Sequence, residues 1–190
     1  FEIPSVLTSH SHKRATERAK ETLDILTNDG LHYDLVLLLQ GDEPQIFPQD
    51  IGNLKQAFSN KELEVVNLVF PISDDDLEDP NVVKVALDLD LTIHFFSRSH
   101  IPHDCISGYR QLGMIGLTKK ALNDYASLLP TVLEEVESID MMRFIENDFS
   151  IQGVLSNSQI LGVDTPQDLK KVEKIMTNDK FVNLYKEKYI

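Results

Sequence analysis

The chain has a single cysteine, Cys105, so no internal disulfide can form and a reducing compartment is the expected setting. It is also short of basic residues, with 18 lysines and arginines against 31 aspartates and glutamates and a net charge of -13. A protein that binds nucleic acid electrostatically needs a basic face, so that class is excluded, whereas a nucleotide substrate held by a few local cations is not. No apolar run approaches the roughly 18 residues of a spanning helix, which argues against a membrane protein. Repeats, low-complexity tracts and internal linkers are missing as well. The first residues, Phe-Glu-Ile-Pro-Ser, carry neither a methionine nor the basic and apolar regions of a signal peptide. A cytoplasmic protein whose natural chain extends ahead of Phe1 is the expectation.

What is present suits one globular domain over residues 1–190, with 42% apolar and 26% charged residues. The most informative stretch is Leu35-Val36-Leu37-Leu38-Leu39 followed by Gln40-Gly41-Asp42-Glu43-Pro44. Five consecutive apolar residues bounded by turn residues predict a strand buried on both faces, hence central and nearly fully buried. Glycine permits a tight turn and proline blocks further pairing, so Asp42 and Glu43 fall just past the carboxyl end of that strand. In open α/β sheets ligands bind there.

In chain order, a short strand is expected over 3–8, a polar loop over 9–14 and a helix over 16–28. A helix from Pro48 to about Ser59 and a strand over 64–72 follow. Asp74-Asp75-Asp76 reads as a solvated loop, and residues 82–88 and 91–97 as a hairpin about Asp88-Leu89-Asp90. A buried strand over 113–117 leads into a helix capped by Thr118. After Pro130 one longer helix is expected over 132–147, and a last strand over 149–155. Thr165 then caps a final amphipathic helix, with Pro166 in its first turn and Asp168 placed for the reciprocal cap. Alternating strands and helices predict a layered α/β fold. His10 and His12, the pair His100 and His103, and the Asp-x-Asp groups at 74–76 and 88–90 have metal-ligand types. Each is read as solvated polar surface, and a glycosyltransferase centred on Asp88 and Asp90 would need them in the same cleft as Asp42.

Six strings in register resemble one family, 3-deoxy-manno-octulosonate (Kdo) cytidylyltransferase. They are Thr8-Ser9 through Thr16-Glu17-Arg18, Gln40-Gly41-Asp42-Glu43-Pro44, Asp79-Pro80-Asn81-Val82-Val83-Lys84 and Phe96-Ser97-Arg98-Ser99-x-Ile101-Pro102. Leu133-Glu134-x-x-Glu137-Ser138 and Gly162-Val163-Asp164-Thr165-Pro166-x-Asp168-Leu169 complete the set. The resemblance implies a Rossmann-like nucleotide-diphospho-sugar transferase fold, a mixed central sheet flanked by helices with a small β-rich dimerisation region. It implies transfer of CMP from CTP to the 2-hydroxyl of Kdo or a related ulosonic acid, with release of pyrophosphate, for lipopolysaccharide or surface polysaccharide synthesis.

On the same resemblance Asp42 and Asp164 are the catalytic carboxylates and bind Mg²⁺. Gln40 lies beside the sugar acid and the nucleotide, Arg18 lines the nucleotide side, and Arg98 contacts the anionic substrate. The assembly implied is a homodimer. The chain departs from the family in lacking, ahead of Phe1, the strand and basic loop that hold the triphosphate. It departs again at Arg14-Ala15 in place of Ser-Gly, at Gln111 in place of a histidine and at Met141 in place of a glutamine. Gln111 and Met141 are therefore read as altered sugar-pocket positions. A non-catalytic relative that keeps the fold and dimer surface is the alternative.

Overall fold

The computed structural model describes residues 4–104, 107–158 and 160–182, so Ile3 and Cys105 lie outside the described residues. In chain order the elements are α1 (Ala15–Asn28), β1 (Leu35–Leu39), α2 (Pro48–Ala57), β2 (Val65–Pro71) and α3 (Asp74–Leu77). They continue with β3 (Lys84–Leu87), β4 (Thr92–Ser97), β5 (Tyr109–Thr118), α4 (Lys119–Ser127), α5 (Val132–Glu137), α6 (Met141–Ile145), β6 (Ile151–Leu155) and α7 (Pro166–Met176). No helix among the described residues is long and apolar enough to cross a membrane.

The six strands form one mixed sheet in the order β1-β5-β2-β6-β4-β3. Only β2 and β6 run parallel. β5 pairs with β2 along one edge and shares its other edge between two strands. Its first residues pair with β3, Lys84 opposite Arg110 and Val85 opposite Tyr109. Its last five pair with β1, from Met114 opposite Leu39 to Thr118 opposite Leu35. The β3–β5 pairing closes β5, β2, β6, β4 and β3 into a ring, with β1 outside it.

Because side chains alternate along a strand, each face of the sheet collects its own core. Val65 and Val69 of β2 join Leu23, Leu122, Tyr125, Met141 and Phe144 beneath α1, α4 and α6. Val66 and Leu68 join Leu54 of α2, Leu112, Met114 and Ile160 on the opposite face. Each such fully buried Leu or Phe contributes roughly 1.5–3 kcal/mol of transfer free energy.

β1 is not the central strand expected. It pairs with β5 alone, its other edge is unpaired among the described residues, and Leu39 is 39% exposed. Val36 and Leu38 pack on the first core and Leu37 on the second, so both faces are covered. An unbroken apolar run reports covered faces and says nothing of how many neighbours a strand has. Residues 4–8 form no strand, and Asp74–Leu77 is a short helix rather than a loop. The single helix expected over 132–147 is two, because Ser138 takes a left-handed φ of 57° that ends α5.

The break leaves α5 and α6 side by side and brings Glu134 against Arg143. Both are buried, with Arg143 Nε 2.6 Å from Glu134 Oε2 and Nη2 2.7 Å from Oε1. The guanidinium also lies 4.2 Å from the Tyr125 ring centroid. Burial alone raises the Glu134 pKa, but hydrogen bonds from Arg143 and the Thr131 N–H, with the charges of Arg143 and Arg14, hold it below the ordinary 4.5. A folded pKa below the unfolded one gives stability that is full above about pH 4.5 and lost as pH falls through the folded value. Glu134→Gln, which leaves Arg143 with a neutral partner, should therefore destabilise most at neutral pH, by about 3–5 kcal/mol. The gap to wild type should narrow below pH 4.5, as urea titrations across pH 3–7 would read.

Candidate active site

A cleft of about 430 Å³ opens where β1 and β3 part company along the edge of β5. At the fork the backbone stays paired: Gln111 N–H donates to the Val83 carbonyl at 2.9 Å and Gln40 N–H to the Gly113 carbonyl at 3.3 Å. The loop after β1 then turns sharply, with Glu43 N–H donating to the Gln40 carbonyl at 3.3 Å. Gly113 is needed at this point. A Cβ there would lie 3.0 Å from Glu43 Cδ and 3.1 Å from Gln40 Cγ.

Glu43 fills the space that Gly113 leaves. Its Oε1 accepts from the Gly113 N–H at 2.8 Å, while Oε2 is buried with no partner among the described residues. Burial first, and then the negative charges of Asp42 and Asp164, push its pKa up against the opposing pull of the Gly113 N–H and Arg110. The second loop enters through α7. Thr165 accepts from Asp168 N–H at 3.2 Å and Asp168 accepts from Thr165 N–H at 3.0 Å, the cap read from the sequence. Val163 N–H then donates to the Asp42 carbonyl at 2.9 Å, so the Asp42 and Asp164 loops are tied together and both residues line the cleft.

Arg98 reaches the cleft from the end of β4. Its Nε donates to the Glu137 carbonyl at 2.9 Å, its Nη1 to the Pro80 carbonyl at 3.0 Å, and its backbone N–H to Glu137 Oε2 at 2.9 Å. Lys84 sits beneath it, buried, with its ammonium donating to the carbonyls of Asp79, Val82 and Arg98. Burial pulls the Lys84 pKa down, and those three carbonyls replace the water it has lost.

Gln40, Asp42, Arg98, Gln111 and Asp164 thus meet in one cleft. Two expected site residues do not. Met141 is fully buried in the core beneath α6, where an apolar thioether fits and a polar side chain would need partners. Arg18 is not among the residues that line the cleft and binds Thr8 Oγ1 and the Ser9 carbonyl.

Sequence reasoning missed Arg110, Asp76 and Arg14. Arg110, 6% exposed, binds the Ile160 carbonyl, lies 3.5 Å from Asp76 and has no partner for its Nε among the described residues. It is the second residue of a strand that the apolar pattern begins only at Gly113. Arg14 is held by Glu134 at 3.2 Å and Ser138 at 3.1 Å. The change from serine to Arg14 was the available signal for it. Asp88 and Asp90 do not line the cleft; Asp88 accepts from the N–H groups of Asp90 and Thr92 within the hairpin turn. His12 pairs with Glu21 at 2.5 Å and His100 with Glu78 at 3.0 Å. Among the described residues no group of three His, Cys, Asp or Glu could hold a metal ion by itself.

The fold is shared with the inositol-1-phosphate CTP transferase of T. maritima, with a TM-score of 0.55 over 81% of this chain and 59% of that one at 20% identity. A CMP:2-keto-3-deoxy-manno-octonic acid synthetase complexed with CTP superposes with a TM-score of 0.80 at 28% identity, covering 90% of this chain and 71% of that one. Sheet, flanking helices and cleft together are those of a nucleotidyltransferase with a Rossmann-like fold. A family profile described as Cytidylyltransferase matches residues 1–183. The 3-deoxy-manno-octulosonate cytidylyltransferase of Bacteroides thetaiotaomicron is 33% identical over 187 residues, covering 91% of this chain and 74% of that protein. The chain belongs to the cytidylyltransferase family.

A methyl group at residue 113 would push Glu43 off the N–H that holds it and crowd Gln40 beside it. Gly113→Ala should lower turnover roughly ten- to hundredfold with a much smaller change in melting temperature. Steady-state kinetics beside a thermal melt separates the two effects.

Proposed function

We propose that the protein transfers CMP from CTP to the 2-hydroxyl of Kdo or a related 3-deoxy ulosonic acid, releasing pyrophosphate. The observation that carries the proposal is the pair Asp42 and Asp164, which line one cleft on two loops joined by the Val163–Asp42 backbone bond. Relatives named as Kdo cytidylyltransferases and the likeness to a synthetase complexed with CTP support the choice of substrates. The hydroxyl oxygen forms a bond to the α-phosphorus while the bond to the bridging oxygen breaks, and the hydroxyl proton is released. The product would enter lipopolysaccharide or surface polysaccharide synthesis.

The charge of the cleft favours a cation as part of the reaction. Its lining carries five basic side chains, Lys13, Arg14, Arg98, Arg110 and Lys171, against seven acidic ones. Arg14, Arg110 and Lys171 already face a carboxylate each, Glu134, Asp76 and Asp168. A triphosphate entering this space would be repelled unless a hard ion screened it, and two carboxylate ligands suit Mg²⁺, which completes its shell with water and phosphate oxygens. Held by Asp42 and Asp164, Mg²⁺ would orient the triphosphate and neutralise charge developing on it. Arg98 is set by two carbonyls in advance, so its planar fork meets an anionic group without first losing side-chain freedom. Gln40 supplies an uncharged amide beside Asp42.

Asp42→Asn and Asp164→Asn keep size and remove charge. Each should nearly abolish pyrophosphate release from CTP and Kdo while leaving the metal-free melting temperature little changed. If Asp164 serves only the dipole of α7, its variant would instead lose roughly 0.3–1 kcal/mol and keep its activity. Near-normal turnover in either variant would rule out a shared ion.

A homodimer is part of the same proposal. Val132 and Val136, 72% and 75% exposed, stand one turn apart on α5 and present apolar surface beside Leu129. Val136→Glu should shift the protein to the monomer in sedimentation; an unchanged mass would exclude this face from the assembly.

A further inference from the structure

β2 sends Val65 and Val69 into the core beneath α1, and Asn67, between them on the same face, is fully buried. A buried amide at a core-facing position needs each of its polar atoms matched. Its Nδ2 lies 3.0, 2.9 and 3.2 Å from the carbonyl oxygens of Leu68, Leu112 and Met114. Three acceptors around one terminal atom assign it as nitrogen, so the other terminal atom is the oxygen. That oxygen lies 2.6 Å from the side-chain amide of Gln111, which must turn its NH₂ inward to donate. The Gln111 carbonyl oxygen is left on the cleft wall. Among the described residues it has no protein partner, and it is not sealed from solvent.

We infer that Gln111 is a specificity-determining acceptor and that Asn67 is the positioning residue that fixes its polarity. The cleft thereby selects a substrate group that can donate, a sugar-acid hydroxyl or the exocyclic amine of the base, and disfavours one that can only accept. This rests on the nucleotidyl-transfer reading and adds to it the polarity of one contact. A histidine, which the related family carries at this place, exchanges donor and acceptor roles with its tautomer; an amide clamped by Asn67 does not.

The test compares wild type with Gln111→Met and Asn67→Val in two arms. One arm pairs CTP with UTP, which replaces the amine by a carbonyl. The other pairs Kdo with monofluoro analogues that keep the reacting 2-hydroxyl, in which each of the other hydroxyls in turn is replaced by a group without a proton to donate. Specificity constants for pyrophosphate release are measured, and dissociation constants by calorimetry give the same ratios where turnover is slow. Wild type should reject one acceptor-only partner by roughly 10- to 100-fold. Gln111→Met should erase that ratio and leave the others intact. Asn67→Val, which frees the amide to turn, should weaken the same ratio alone. If Asn67→Val does not fold, Gln111→Met on the accessible wall decides the matter. Ratios unchanged in Gln111→Met, whatever the overall loss, overturn the inference. Failure of pyrophosphate release with every pair, while the binding ratios still respond to Gln111, overturns the functional reading instead.

Discussion

One edge of β5 is asked to pair with two strands that run to different places. Arg110 belongs to the β3 ladder and Met114 to the β1 ladder, so the chain between them must release one strand and take up the other. Backbone donors and acceptors at the fork cannot be left bare in a buried sheet. Val83 and Gln40 satisfy them from either side. Gln111 and Gly113 then flank a gap that no strand fills among the described residues. Gln111 gives that gap a polar wall, and Gly113, by having no side chain, admits the Glu43 carboxylate. The cleft therefore follows from sheet pairing, and the loops that bear acid are carried to its rim.

Around the fork, buried charge is spent on holding loops in place. Lys84 gathers three carbonyls and so joins the Asp79–Val82 turn to Arg98. Arg98 in turn binds the Glu137 carbonyl at the end of α5. Glu134, in the same helix, receives Arg143 from α6 and Arg14 from the start of α1. Removing either partner of such a contact leaves an uncompensated buried group, which makes these positions intolerant of change. Rigid support of this kind is what lets a polar cleft act without reorganising when substrate arrives.

Much of this was legible from residues whose local chemistry is self-contained. The cap Thr165-Pro166-x-Asp168 sets its own hydrogen bonds, as does Thr118 at the start of α4, where its hydroxyl accepts from Ala121 N–H at 3.1 Å. The hairpin about Asp88-Leu89-Asp90 is fixed by its turn. What failed depends on partners far away in the chain. β1 has the composition of a central strand because both faces are covered, and pairing at its edges leaves no mark on composition. The helix expected over 132–147 stops at Ser138, a left-handed residue whose hydroxyl accepts from Arg14 and whose preceding carbonyl, that of Glu137, accepts from Arg98. The motif puts Met141 in the pocket, whereas its own apolar side chain, next to Met142, is compatible with core.

Net charge sets a condition on the chemistry that neither fold nor motif supplies. A chain at -13 offers an anionic nucleotide no general attraction, and the cleft lining carries seven acidic side chains against five basic ones. The carboxylates there are not arranged as structural acids usually are. Asp168 serves a helix cap and Asp76 faces the buried Arg110, whereas Asp42 and Asp164 lie on loops held together by a backbone bond. Burial first, and then the charge of these two carboxylates, holds the pKa of Glu43 up. On the proposed reaction a cation held by these two carboxylates would let metal and nucleotide bind as one event, each removing the obstacle to the other.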